Sequence, residues 1–277
     1  MPFTLSHAAA ALPFRRTRLD MSALVIGSFA PDFPYFMFFA PSGFIGHTPP
    51  GIFVFDLPLS LIVLWLFHAF IKRPLLMFLP IGVRQRLKPG KKRYSFWPPA
   101  RLALIVISIV IGSATHILWD SFTHTFYWPY RNWSFLREIV HVPIAGDLGM
   151  YRVLQFGSSV FGIVVLVVWA WFWYRAAKPA ESPIAEPYTL PQIRVIRLVV
   201  PAVALICGIL RAYLDLGAPD MSIRSVMHFA IESGITTTTL LAIGMLICGA
   251  AFASSARDLK ARAARGKAKK ERTAGIS

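Results

Sequence analysis

The chain has 277 residues, of which 56% are hydrophobic and 15% are charged. Soluble domains average about 45–50% apolar and about 25% charged residues, so this composition excludes a soluble enzyme with a charged surface. A disordered chain is also excluded, because 14% of the residues are aromatic. The net charge of +16 does not indicate a nucleic-acid partner, since the basic residues lie in loops between apolar runs. The composition predicts an integral membrane protein in contact with membrane lipids.

The first long apolar stretch, 21–40 (MSALVIGSFAPDFPYFMFFA), is interrupted by Pro31, Asp32 and Pro34. These residues predict either a short broken helix or a re-entrant segment. Non-helical backbone at membrane depth is tolerated only where it faces protein or a water-filled cavity. The interruption therefore points to a site.

Five later runs are long enough to cross about 30 Å of hydrocarbon, which takes about 20 residues. They cover 52–71, 102–119, 153–174, 195–214 and 225–252. The predicted fold is an all-α, polytopic transmembrane helix bundle with five or six membrane segments, the one near 21–40 being broken or re-entrant.

Basic residues are unevenly divided among the loops. Nine lie between 72 and 101, four in 175–197 and eight after 252, against three in 120–152. By the positive-inside rule, the three richer regions are cytoplasmic. The 120–152 loop and residues 1–51 then share the outer face. If 21–40 spans fully, residues 1–20 are cytoplasmic instead.

The chain divides into four predicted parts. These are a membrane domain, 1–174, that carries the candidate site, a proline-containing cytoplasmic linker, 175–197, two further transmembrane helices, 198–252, and a basic cytoplasmic tail, 253–277. The tail is interpreted as a topology determinant, and the alternative is a site for anionic lipid headgroups.

The most informative polar pattern lies at the end of the second long run. His116, Asp120 and His124 are spaced four apart, and on a helix such residues share one face. Histidine and carboxylate side chains bind Zn, Mn or Fe. Ionisable groups at membrane depth cost about 2.5–3.5 kcal/mol each and usually mark a function. The pattern predicts a metal site; the alternative is an interfacial His116 bonded to a carbonyl group.

Three earlier residues offer matching groups. His7 begins a short helix-like segment, Asp32 lies at the interruption, and His47 lies in a loop rich in Gly and Pro. Each residue is weak evidence for a site when taken alone. Asp32, for example, is also suited to capping a helix. The segments 26–32 and 111–116 both place Gly-Ser just before a candidate ligand, which predicts that they pack together.

Two other acidic residues, Asp56 and Glu232, lie inside predicted spans near their outer ends. Either is a candidate to accept a hydrogen bond from a metal-binding histidine and so orient its ring. The alternative is an ion pair with a neighbouring helix.

Motifs over Met1 to about Gly162 resemble an uncharacterised bacterial membrane family, domain-of-unknown-function family 4184. They are PFTLSH (2–7), GSFAPDFPYF (27–36), GHT (46–48), DLP (56–58), HILWDSFTH (116–124) and LQFGSSVFG (154–162). That family is similar to inner-membrane proteins predicted to be metal-dependent hydrolases. The order of the histidines and aspartates is more distantly similar to zinc-dependent phospholipase C and single-strand nucleases.

The resemblance implies a protein of the bacterial cytoplasmic membrane. It implies metal-ligand roles for His7, Asp32, His47, His116, Asp120 and His124. The phospholipase pattern contains a further His-x-x-x-Glu pair, whereas His141 is followed by Val-Pro-Ile-Ala. We therefore expect one or two divalent ions, with zinc the first choice.

The sequence thus favours a metal-dependent hydrolase at the outer membrane face. Asp32 is the first choice for the general base, and a lipid-linked phosphoester is the expected substrate. The alternative is a non-catalytic membrane protein, a transporter or assembly factor that uses the same polar cluster. A transporter of a familiar type would be expected to show repeats and two similarly broken helices.

Overall fold

The computed structural model describes residues 3–40, 45–87, 94–143, 146–180, 188–220 and 222–253. The helices are an N-terminal 3-10 helix, Thr4–Arg16, then α1 (Met21–Phe29), α2 (Phe33–Phe38), α3 (Pro49–Leu76), α4 (Ile81–Arg86), α5 (Pro99–Asp120), α6 (Trp128–Asn132), α7 (Met150–Ala176), α8 (Leu190–Leu216) and α9 (Ile223–Ala251). Short 3-10 turns cover Ala30–Asp32, Ile45–His47 and Ser134–Arg137. One small hairpin, β1 (Ile139–Val142) paired antiparallel with β2 (Gly146–Gly149), interrupts the loop before α7. The predicted all-α fold is confirmed.

Five helices, α3, α5, α7, α8 and α9, are long and apolar enough to cross a membrane. The prediction of a polytopic transmembrane bundle is therefore confirmed, and the chain is an integral membrane protein. Each observed helix contains most of the corresponding predicted run. The helices extend beyond these runs because capping and interfacial residues continue the helical backbone past the apolar stretch. The basic tail beyond residue 253 lies outside the described residues, so its predicted roles stay predictions.

The N-terminal 3-10 helix runs alongside α7 from one end of the bundle towards the other. The Phe3 backbone N–H donates to Ser159 Oγ at 3.0 Å, early in α7. Near the other end of the 3-10 helix, Arg15 and Trp169 line one surface groove, and Trp169 lies late in α7. At about 2.0 Å per residue, the 13 residues of this helix rise about 26 Å.

Helix α1 brings the chain back beside α5. The Asp20 backbone N–H donates to Ser108 Oγ at 2.9 Å, and the Ser28 carbonyl lies 2.7 Å from Nδ1 of His116. The two helices are therefore parallel, and α1 ends level with the end of α5. The 3-10 helix and α1 together form a re-entrant hairpin, and the stretch 21–40 is a broken helix, because α1 ends at Phe29 and α2 begins at Phe33.

The hairpin corrects one part of the predicted topology. Arg15, Arg16 and Arg18 lie at its tip, and the neighbouring Asp20 pairs with Arg101 at 3.4 Å, at the start of α5. The tip is therefore at the end of the bundle that carries the basic 72–101 loop, and His7 is at the opposite end. Placing all of residues 1–51 on one face was wrong for these arginines, because a re-entrant hairpin carries its tip away from both of its ends.

Two glycines allow α1 and α5 to touch along their backbones. A Cβ atom on Gly27 would lie 2.4 Å from the Ile109 carbonyl oxygen, and one on Gly112 would lie 2.3 Å from the Leu24 carbonyl oxygen. Ser113 Oγ also donates to the Gly27 carbonyl at 3.0 Å. Small residues permit such close approach in membranes. The two Gly-Ser segments pack together as the sequence predicts.

The pair α8 and α9 supports the end of α2. Thr239 Oγ1 on α9 donates to the Phe36 carbonyl at 3.1 Å. Arg211 on α8 donates to the Phe39 carbonyl and to Thr236 Oγ1. Phe39 ends α2 in the left-handed region, with φ 54°. The last two spans therefore brace the segment that carries Asp32.

We predict opposite outcomes for two Gly→Ala substitutions. Gly112→Ala should destabilise the protein by about 1–3 kcal/mol, because its methyl group collides with the α1 backbone. Gly234→Ala on α9 meets nothing within 4 Å and should be neutral or stabilising by up to about 1 kcal/mol. Thermal unfolding in detergent measures both, and equal midpoints would contradict the close α1–α5 contact.

Candidate metal centre

Five of the six predicted ligands meet where the interruption at Ala30–Asp32 lies against the end of α5. His7 comes from the N-terminal 3-10 helix, Asp32 from the interruption, His47 from its short 3-10 turn, and His116 and Asp120 from α5. None of the five is more than 2% exposed. Residues far apart in the chain thus form one buried polar cluster at the end of the bundle opposite the arginine tip.

Four of these side chains alternate around a closed ring. His47 Nε2 lies 3.4 Å from Asp32 Oδ1 and 3.6 Å from Asp120 Oδ2. His116 Nε2 lies 3.6 Å from the same Asp32 oxygen and 3.4 Å from the same Asp120 oxygen. Each imidazole nitrogen therefore faces two carboxylate oxygens, and each of these oxygens faces two imidazoles.

Three members of the ring, Asp32, His47 and His116, each place one ligand atom within 4.8 Å of the other two, close enough to share one small metal ion. Zinc binds His nitrogen and carboxylate oxygen at about 2.0–2.2 Å, so the edges of a tetrahedron of ligands measure about 3.3–3.6 Å. The four ring distances, 3.4–3.6 Å, match four of the six edges of such a tetrahedron. The donor set, two imidazoles and two carboxylates, also suits zinc or another divalent transition ion.

Buried atoms without hydrogen bonds mark the neighbouring donor set of His7, His116 and Asp120, which shares only His116 Nε2 with the ring. Within the described part of the chain, His116 Nε2, Asp120 Oδ1 and both ring nitrogens of His7 are buried and make no hydrogen bond. Leaving such groups unsatisfied in a low-dielectric interior is costly. A cation bound among these atoms removes part of that cost.

Hydrogen bonds outside the ring orient its members. The Ser28 carbonyl accepts from His116 Nδ1 at 2.7 Å, so the Nε2 lone pair faces the ring. Thr4 Oγ1 donates to Asp32 Oδ2 at 2.7 Å, and Tyr127 Oη donates to the His47 carbonyl at 2.9 Å. Such outer contacts fix ligand geometry and tune metal affinity. Sequence reasoning missed Thr4 and Tyr127, although Thr4 lies only three residues before His7.

His7 lies beside the ring, not in it. Its imidazole stacks on that of His116, with centroids 3.9 Å apart, and its Nε2 lies 3.4 Å from Asp120 Oδ1. His7, His116 and Asp120 form a second set of three donors close enough to share an ion. Both sets depend on His116. Its Nδ1 donates to the Ser28 carbonyl, so only the single lone pair of Nε2 is left to bind an ion. The two sets therefore compete for one ion.

His124 is placed differently from the prediction. Helix α5 ends at Asp120, so His124 does not share a helical face with His116 and Asp120, and that part of the prediction was wrong. The chain turns back, and His124 Nδ1 lies 3.2 Å from the Asp120 carbonyl and 3.5 Å from Asp120 Oδ2. Its side chain is 16% exposed. It lies at the edge of the cluster, and its predicted ligand role stays a prediction.

The two candidate acceptors have different surroundings. Asp56 is fully buried, and its Oδ1 lies 2.9 Å from where a Cβ on Gly46 would stand, next to His47. Glu232 lies 4.0 Å from His228 on its own helix. Only Asp56 is thus placed near the cluster.

The two carboxylates of the ring act on the protonation of His47. Burial lowers the pKa of His47, but its contacts with Asp120 and Asp32 outweigh burial and raise the pKa to about 9. A metal ion binds the deprotonated imidazole. We therefore expect metal binding to displace this proton and to strengthen as the pH rises towards 9.

The fold and the cluster together define a class: a polytopic helical membrane protein with a buried His/Asp centre at one end of its bundle. The family model described as Domain of unknown function (DUF4184) matches residues 1–251, and the chain belongs to that family. No curated protein matches the chain, and no solved structure does.

We predict that the ring determines metal content. Purified protein should carry about one zinc or similar ion per chain, and His116→Ala and Asp120→Ala should lose it because each removes a donor of the ring. His141→Ala is the matched control, since that histidine is 74% exposed on β1 and should leave the metal in place. Elemental mass spectrometry gives the counts. Full metal content in both ring variants would contradict the assignment.

A substitution outside the ring should weaken binding without abolishing it. Thr4→Val keeps a similar side-chain shape but removes the hydrogen bond to Asp32 Oδ2, and should lower metal affinity about 10–100-fold. Thr17→Val, which removes a bond to the exposed Phe14 carbonyl, should not change it. Competition with a chromophoric chelator measures the affinity. Equal affinities in the two variants would show that Thr4 does not hold Asp32 in place.

Proposed function

We propose that the protein is a metal-dependent hydrolase acting at the membrane surface, with a lipid-linked phosphoester as substrate. The observation that carries this proposal is the ring of Asp32, His47, Asp120 and His116, whose donor atoms are 3.4–3.6 Å apart. A divalent ion held there would supply a Lewis acid that polarises a phosphoryl oxygen and lowers the pKa of water towards neutrality.

The ring positions suggest a different general base from the one expected. Asp32 uses Oδ1 towards His47 and His116 and Oδ2 to accept from Thr4. Both of its oxygens are engaged, so we assign Asp32 to metal binding. The proton acceptor must be another residue.

We assign the proton-acceptor role to His7 from its position beside the ring. Its Nε2 faces Asp120 Oδ1 at 3.4 Å, which leaves Nδ1 to take a proton from the attacking water. Asp120 would then stabilise the imidazolium through Oδ1 while its Oδ2 stays in the ring. Stacking on His116 holds the His7 ring in place.

The location of the centre supports the proposed substrate class. The cluster lies at one end of a bundle whose five long helices cross the membrane, and its residues are almost fully buried. A substrate anchored in the bilayer reaches this level without leaving the lipid, which favours a lipid-linked phosphoester over a soluble one. The positive-inside distribution of the loops supports an outer-face location in a bacterial cytoplasmic membrane.

One observation favours a non-catalytic function instead. Structural zinc sites have four protein ligands, whereas catalytic sites usually keep one position open, and the ring offers four. In that case the ion would lock the hairpin to α5, as in a transporter or assembly factor. Zinc can expand to five ligands in a transition state, so four donors are compatible with hydrolysis.

The test separates metal binding from turnover. Protein loaded with zinc or manganese should hydrolyse fluorescent phosphatidylglycerol in mixed micelles, and His7→Ala should lower kcat about 10²–10⁴-fold while keeping its metal. His116→Ala should lose both. If the wild type keeps a stoichiometric ion but hydrolyses no phosphoester lipid in a headgroup panel, the ion is structural and the hydrolase proposal fails.

A further inference from the structure

His124 differs from the other five predicted ligands in its exposure to solvent. Those five are at most 2% exposed, whereas the His124 side chain is 16% exposed. It lies in the loop that follows α5, at the end of the bundle opposite the arginine tip. Of the six residues, His124 is therefore the one that an ion from solution reaches without a change in the structure.

His124 is linked to the ring through Asp120. Its Nδ1 lies 3.5 Å from Asp120 Oδ2. The same oxygen faces Nε2 of His47 at 3.6 Å and Nε2 of His116 at 3.4 Å. Asp120 Oδ2 thus lies beside the exposed imidazole and beside both imidazoles of the ring. A single carboxylate connects the edge of the cluster with its centre.

The surroundings of His124 leave its Nε2 available for an ion. Nδ1 lies 3.2 Å from the Asp120 carbonyl, which, like the Asp120 carboxylate, only accepts hydrogen bonds, so Nδ1 carries the proton and donates it. The Thr123 hydroxyl, 3.1 Å from Nδ1, donates to the same carbonyl and is able to accept as well. The lone pair is then on Nε2, which makes no hydrogen bond within the described residues.

The same arrangement is found at a member of the ring. His116 also donates from Nδ1 to a backbone carbonyl, that of Ser28, and turns its Nε2 lone pair to the ring. A histidine whose other nitrogen is held in this way is oriented for metal binding. His124 is thus prepared as a ligand at a place that solvent reaches.

A ligand at the edge lowers the barrier for an ion that enters a buried centre. A charge in a low-dielectric interior without ligands costs several kcal/mol, so direct transfer of an ion from water to the ring is slow. Exchange of water for the His124 imidazole, and then for Asp120, keeps the ion coordinated at each step. The same steps in reverse carry the ion out.

We propose that His124 is an entry ligand: it binds the metal ion transiently through Nε2 and passes it between solution and the ring by way of Asp120. The inference rests on the metal centre, not on the hydrolase reaction, and goes beyond the proposed function. His124 lies outside the resting coordination sphere, in keeping with its place at the edge of the cluster. Because it contacts the ion only during transfer, it changes the rates of uptake and release and leaves the affinity unchanged.

The test measures zinc transfer in the full-length, detergent-purified protein without any substrate. Uptake by metal-free protein is followed after rapid mixing with zinc and a fluorescent zinc indicator, and release by transfer of bound zinc to excess chelator. His124→Ala should slow both rates about tenfold, because one contact is lost from the transition state of transfer. Its zinc content and dissociation constant should equal those of the wild type.

Three further variants identify what the side chain does. His124→Cys supplies another zinc ligand and should be faster than His124→Ala, whereas His124→Gln, a poor zinc ligand of similar size, should be as slow as His124→Ala. His141→Ala removes an exposed histidine from the hairpin between α5 and α7 and should leave both rates unchanged. Equal rates in the Cys and Ala variants would mean that the loss is structural, and would overturn the proposal.

The remaining outcomes each overturn the proposal for a different reason. Unchanged rates in His124→Ala mean that the ion enters elsewhere, and faster rates mean that the imidazole blocks the path. A weaker affinity for zinc means that His124 is a resident ligand. A wild type that binds no zinc overturns the metal centre as well. The predicted rates in a protein that hydrolyses no phosphoester would overturn the hydrolase proposal alone.

Discussion

The backbone contact between α1 and α5 is the constraint on which the centre depends. Gly27 and Gly112 let the two helices touch, and this contact sets the level at which α1 ends. The interruption at Ala30–Asp32 then falls beside the last turn of α5, where His116 and Asp120 share a face. A side chain at either glycine would push the helices apart, and distances of 3.4–3.6 Å between donor atoms would not survive that shift.

The second constraint is electrostatic. Two carboxylates within reach of three imidazoles are buried at the end of an apolar bundle, where an unpaired charge costs several kcal/mol. Outer hydrogen bonds satisfy the atoms that face away from the ring, such as Asp32 Oδ2 and His116 Nδ1. The remaining donor atoms, the Nε2 atoms of the ring histidines and one oxygen of each carboxylate, face one another inside the cluster. Within the cluster, His116 Nε2 and Asp120 Oδ1 are buried without a hydrogen bond in the described chain, and a cation would use these atoms.

Much of the fold and of the cluster could be predicted from the sequence, because these features follow from local sequence patterns. Hydropathy locates the five spans, and the i, i+4 spacing places His116 and Asp120 on one face. The position of His7 depends on a re-entrant hairpin, a long-range arrangement that local patterns leave open. His124 was predicted both from its spacing and from the family resemblance, but α5 ends at Asp120, so the helical face that it was expected to share does not extend to it. The same hairpin places Arg15 and its neighbours at the end of the bundle opposite to the predicted one.

The asymmetry of the cluster argues for chemistry over simple cross-linking. A structural site needs only its four ligands, and the ring supplies them without His7. Yet His7 is buried against His116 with both ring nitrogens free of hydrogen bonds in the described chain, an expensive arrangement that a structural site made of the ring alone does not need. Its ring also lies edge-on to the indole of Trp119, with centroids 5.6 Å apart. Under the proposed function, this imidazole would take the proton of the attacking water beside the cation site, at the level of the bilayer where the phosphate of a membrane-anchored substrate would lie.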